Sequence, residues 1–178
     1  KLYDVVSRYW EQKLEIVFVA NGEFQQYIKE IVHLHKLISR VAICDFDDRL
    51  ARLAYGASDL VMMPSRVEPR GLPQMIGPIS GSLPVAHDTG GIHDTVTLMV
   101  VAQHTGNGFL FKDFDANGLF WAIGEAIDFH NQPSEINKTQ IERIMNDSTA
   151  TFNHAVTARH YIDFYEKMLA RPLINADS

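Results

Sequence analysis

The chain has 178 residues, 46% hydrophobic and 21% charged, with 16 Lys and Arg against 22 Asp and Glu for a formal charge of −6. Those values describe a folded domain able to bury about 70% of its unfolded surface, and they exclude the basic footprint needed to track nucleic acid or an anionic membrane. The longest apolar stretch, around Val100, is far short of the roughly 20 residues of a membrane helix, and a single cysteine, Cys44, rules out an internal disulfide.

A soluble, single-domain chain over residues 1–178 is expected, and the lone cysteine points to a reducing, cytoplasmic setting. It begins at Lys1, without the charged start and apolar core of a signal peptide, and reads as a fragment of something longer.

Leu2, Val5, Val6, Tyr9 and Trp10 make one helical stripe. The period then changes: Leu14 to Ala20 is a short β-branched run closed by Asn21-Gly22, the pattern of a strand buried on both faces. Phe24, Tyr27, Ile28, Ile31, Val32, His35 and Ile38 return to helical spacing, and Arg40 to Cys44 reads as the next strand. Asp47 caps a short helix carrying Leu50, Leu53 and Ala54, followed by the strand Leu60 to Met63. A helix from about Leu72 to Ser80 leads to the strand Leu83 to Ala86. Four strands separated by three helices predict an α/β fold, a doubly wound, mostly parallel Rossmann-like sheet with helices on both faces. A helix from Asp115 through Ile127 and a last one from Ala158 to Leu169 close the domain, with Tyr161 and Tyr165 expected in the core. The break at Asn131-Gln132-Pro133-Ser134 separates two helices rather than two domains.

Open α/β sheets bind ligands beyond the carboxyl ends of their strands. After Met63 comes Pro64-Ser65-Arg66-Val67-Glu68-Pro69-Arg70-Gly71-Leu72, a carboxylate between two prolines with a glycine just ahead of a helix start. Free backbone N–H groups make Gly71-Leu72 a candidate phosphate cradle, with Glu68 placed to reach the hydroxyls of whatever the phosphate carries. Equally, Glu68 could be a solvated loop acid and Gly71 a turn glycine. After Ala86, His87-Asp88-Thr89-Gly90-Gly91 lets backbone approach a ligand, or is a plain Gly-Gly turn. His87, Asp88, His93 and Asp94 crowd this loop and could hydrogen-bond sugar hydroxyls. No G-x-G-x-x-G or G-x-x-x-x-G-K-[ST] is present, which sets aside dinucleotide dehydrogenases and P-loop enzymes. His33 and His35 are about 200° apart on a helix and cannot share a metal.

Ser58 to Pro69, Gly71-Leu72, Gln74, Gly81 to Val85, Thr89 to Val96 and Gly106 to Asp113 together closely resemble the bacterial glycogen synthase and plant starch synthase family. The resemblance runs more loosely from Leu2 to about Tyr165. It implies a retaining glucosyltransferase of the two-lobed GT-B architecture, moving glucose from ADP-glucose or UDP-glucose to the non-reducing end of an α-1,4-glucan. This chain would be the nucleotide-binding C-terminal lobe, meeting the glucan through an N-terminal lobe. It implies Glu68 as the catalytic glutamate against the donor glucose and Phe46 near the base. The donor would be held by Arg70, Gly71, Leu72, Pro73, Gln74, Thr89, Gly90 and Gly91, with no metal and no cofactor. Arg70 stands where the family commonly has cysteine, and Pro73, which has no N–H, where Thr or Ile supplies one; Pro73 is otherwise a helix-opening proline. The family's basic pair for the diphosphate falls upstream of Leu2. Ile76 departs from the second glutamate of the wider E-x₇-E transferases, as this family does. The alternative is a non-catalytic module that binds a nucleotide sugar or another nucleotide.

Overall fold

The computed structural model describes residues 14–173; the expected Leu2–Trp10 stripe lies outside them. Five parallel strands alternate with helices: β1 (Ile16–Val19), α1 (Phe24–Leu34), β2 (Val41–Cys44), α2 (Asp48–Ala57), β3 (Leu60–Met63), α3 (Pro73–Ile79), β4 (Leu83–His87), α4 (Gly91–Thr95) and β5 (Phe109–Phe111). Three helices follow, α5 (Ala116–His130), α6 (Ser134–Thr151) and α7 (His154–Leu169). The α/β alternation and the parallel direction are as expected.

One continuous sheet was expected, and the described strands form two. β1 pairs with β2, Ile16 opposite Val41, while β3, β4 and β5 form a second sheet in that order. No described strand bonds β1 to β3, so each has a ladder partner on one side only. Periodicity reports which segments are extended; it carries no information on which of them are adjacent.

β4 is buried at every position, as its unbroken apolar run requires. Its alternation feeds two cores. Leu83 and Val85 join Phe109 and Phe111 of β5, Leu119, Ile123 and Ile127 of α5, and Ile144 of α6. Ala86 points to the other face, with Met63, Ile92 and Val96. On that face α3 comes so close that a Cβ on Gly77 would stand 2.9 Å from Val61 and 2.8 Å from the Ser82 carbonyl oxygen, hence the glycine.

Helix starts follow their caps. Asp47 Oδ1 accepts from the Leu50 amide at 2.7 Å, Asp115 Oδ1 from Gly118 at 2.8 Å, and Asn153 Oδ1 from Val156 at 3.0 Å. Two elements escaped the sequence reading. β5 is three residues long, embedded in a glycine-rich segment. α6 is mostly polar, and its buried stripe is Gln140, Ile144 and Ser148, two of them polar. Tyr161 and Tyr165 correct an expectation: they are 60% and 49% exposed, their rings 6.4 Å apart on the outer side of α7. Helical spacing places them on one face, and no described element covers that face.

Candidate functional site

The loops after β3, β4 and β5 meet at the carboxyl ends of the second sheet, where a doubly wound fold places its ligands. The loop after β3 carries Glu68, half-buried, five residues beyond the strand. Its carboxylate Oε2 accepts from the Ser65 hydroxyl at 3.3 Å.

Glycines let the β3 and β4 loops close on each other. The Gly91 amide donates to the Glu68 carbonyl at 2.9 Å. Gly90, at φ +50, lies so near Glu68 that a Cβ would collide with its carbonyl oxygen, and a Cβ on Gly91 would collide with the Arg70 backbone. Any side chain at either position would wedge the two loops apart. Gly71, at φ +65, is similarly tight, since the Gln74 carboxamide occupies the space its Cβ would need.

Gln74 is fully buried and acts as a brace. Its Nε2 donates to the Arg70 carbonyl at 2.8 Å and to the Thr95 hydroxyl at 3.3 Å, and that hydroxyl donates to the Gly91 carbonyl at 2.6 Å. One side chain therefore spans both loops, while its Oε1 is buried without a hydrogen-bond partner.

Among the described residues, the amides of Gly71, Leu72 and Gln74 make no hydrogen bond within the chain. Leu72 is the N-cap of α3 and Pro73 its first residue. Proline fits there because the N–H it lacks would have no partner in the helix, which resolves its role as a helix opener. What remains is an apron of backbone donors beside Glu68, suited to an anion.

At the rim, His93 Nδ1 lies 2.7 Å from Asp88 Oδ1. The hydrogen bond to Asp88 and its negative charge hold the His93 imidazole above its usual pKa of 6.5, so its charged form is favoured there.

The structure thus brings together Glu68, Arg70, Gly71, Leu72, Pro73, Gln74, Gly90 and Gly91. Thr89 closes the turn into α4, its carbonyl accepting from the Ile92 amide at 3.1 Å. Phe46 stands apart. It follows β2 of the other sheet, is 56% exposed, and its amide donates to Asn21 Oδ1 at 2.9 Å. Sequence reasoning passed over Ser65 and the bracing by Gln74, whose burial only the structure shows.

No protein-family model matches the chain. It is 35% identical over 164 residues to a glycogen synthase of Natranaerobius thermophilus, a match covering 90% of this chain and 32% of that protein. It is 33% identical over 160 residues to a glycogen synthase of Bacillus subtilis, covering 89% and 32%. Among solved structures, the catalytic domain of starch synthase IV from Arabidopsis thaliana bound to ADP and acarbose aligns at a TM-score of 0.79 and 27% identity, over 96% of this chain and 35% of that one.

The fold is that of a Rossmann-like lobe of a GT-B glycosyltransferase. The chain is homologous over nearly all of its length to glycogen synthases, and it spans about a third of the length of the curated relatives it matches.

Proposed function

We propose that this chain is the donor-binding lobe of a retaining glucosyltransferase that moves glucose from ADP-glucose or UDP-glucose to the non-reducing end of an α-1,4-glucan. The observation that carries this reading is the convergence of Glu68, the unpartnered amides of Gly71 and Leu72, and the Gly90-Gly91 turn on one edge of a parallel sheet. In it the diphosphate lies on the α3 amides and beside Arg70, with the Thr89–Gly91 turn closing over the sugar. Glu68 faces the glucose. Phe46 serves the base in this reading, and it has to be brought toward the other residues from the first sheet.

In the reaction the bond between the anomeric carbon and the diphosphate breaks, the nucleotide leaves, and an acceptor hydroxyl forms the new bond as it gives up its proton. Positive charge develops on the sugar, and a carboxylate held by Ser65 would stabilise it more in the transition state than in the ground state. The acceptor glucan would meet this lobe across a cleft formed with a second lobe, in the cytoplasm. The starch synthase IV relative is described with ADP and acarbose, which favours an adenine donor.

Calorimetric titration of ADP, UDP and ADP-glucose into the chain tests the reading. Binding of ADP and ADP-glucose, lost in Gly90→Val, is expected. Affinity for none of the three would refute it, and tight binding of an unrelated nucleotide would leave a binding module of another kind.

A further inference from the structure

We propose that His87, the last residue of the central strand β4, is a positioning residue that clamps the Glu68 loop to the end of β5 by donating from both ring nitrogens. His87 is only 8% exposed. Its Nδ1 lies 2.9 Å from the Ser65 carbonyl oxygen and its Nε2 3.2 Å from the Lys112 carbonyl oxygen. A carbonyl oxygen only accepts, so both contacts are hydrogen bonds only when both nitrogens carry a proton. In a ring with one proton, a lone pair faces one of the two carbonyls, and that loop loses its tether.

The surroundings support a clamp over a space-filler. The ring packs against both Phe111 at 5.4 Å and Phe114 at 4.9 Å, aromatic contacts that favour one ring orientation. The β3 and β5 loops follow the outer strands of this sheet, and His87 ends the strand between them. Ser65, held through its carbonyl, presents its hydroxyl to Glu68, so the order set by His87 passes to the carboxylate in one step. The charged groups on the surrounding elements are few. From the β3 loop they are Arg66, Glu68 and Arg70, with Glu68 engaged by Ser65. From β4 there is Asp88, engaged by His93. From β5 there are Lys112, which offers its carbonyl, and Asp113.

Two measurements on the chain test this. Long-range ¹H–¹⁵N spectra of the His87 ring across the pH range in which the chain stays folded give its protonation, and amide exchange gives the order of the loops. Loss of the second ring proton should coincide with lower protection of the Gly91 amide, measured against the base-catalysed open-chain rate at each pH, which reports on the Glu68 carbonyl, while the β3–β4 ladder keeps its protection. His87→Phe keeps a ring between Phe111 and Phe114 but removes both donors, and should speed that exchange about tenfold; His87→Arg, with donors at both ends of its fork, should restore it. Protection of the Gly91 amide that ignores both ring titration and the Phe variant would overturn the proposal. If His87→Phe does not fold, the ring and exchange titrations of the unaltered chain decide alone. None of these readouts depends on donor binding.

Discussion

Gly91→Ala offers the sharpest test of how the candidate site is assembled, because its effect can be sized from the structure. Gly91 does not have a positive φ, so alanine brings no backbone strain, only a methyl group. That methyl would lie 2.8 Å from both Cα and the carbonyl carbon of Arg70, and nearer still to its oxygen, whereas ordinary contact begins at 3.4 Å. The obstacle is backbone, so a rotamer change cannot relieve it. The β3 loop has to move out by at least half an ångström, stretching the Gly91 amide bond to Glu68. Overpacking of this kind costs about 1–3 kcal/mol. For a chain of this size each kcal/mol lowers Tm by about 2–4 °C, which gives a fall of about 2–12 °C. If the ligand spans both loops, losing register with one set of donors should also weaken ADP binding by about ten- to thirtyfold. Gly56→Ala is the control: it sits within α2, and nothing stands within 4 Å of its would-be Cβ. It should gain about 0.5–1 kcal/mol and leave ADP binding unchanged. Calorimetric melts and ADP titrations of both variants are the assay. A Gly91→Ala chain with unaltered Tm and ADP affinity would refute the close approach of the two loops.

Three further outcomes are expected. In the full-length parent, Glu68→Gln should lower kcat by about two to three orders of magnitude with donor affinity largely kept, as steady-state kinetics across donor concentrations would show; an unchanged kcat with a raised KM would make Glu68 a binding residue only. Asp88→Asn should return the His93 pKa toward 6.5, read by NMR titration. Because the folded value is raised, the pair stabilises below the unfolded pKa and this is lost as pH rises through the folded one, so the variant should lose more Tm at about pH 5 than at about pH 8. Ile144→Ala empties a fully buried position of the main core and should cost about 2–5 kcal/mol, seen as a lower urea midpoint with an unchanged m value.

What the sequence revealed and what it hid follow from the range of each signal. Strand β3 was legible to the residue, because Leu60 to Met63 is bounded by Asp59 and by Pro64, and Asp47 announced α2 through a cap that acts over three residues. The loop that carries Glu68 and Gly71 and the Gly90-Gly91 turn were legible as strand-end loops, because each follows an apolar run and their glycines stand out. Strand adjacency was not legible, since β1 and β3 look alike in composition and only the fold decides which ladder each joins. Nor was the part played by Gln74 and His87. Each is a buried polar residue whose partners lie on other loops, and the pairing of His87 with Ser65 and Lys112 spans more than twenty residues each way. The burial of Gln140 and Ser148 hid α6 for the same reason.

The burial of the chain is lopsided, and this bears on how it opens. Among the described residues, the only buried apolar side chains ahead of Met63 are Val32 and Val41, and α2 has none. On this count the unit made of β1, α1, β2 and α2 is expected at the low end of the local-stability range, with β4 and α5 near the global limit. Phe46 belongs to the loose unit and Glu68 to the tight one. A ligand that touches both has to freeze the former against the latter, so part of its binding free energy goes into suppressing a partial unfolding. Occupancy should then slow amide exchange in β1 and β2 far more than in β4, and mutations that loosen α1 should weaken affinity without touching a single contact residue.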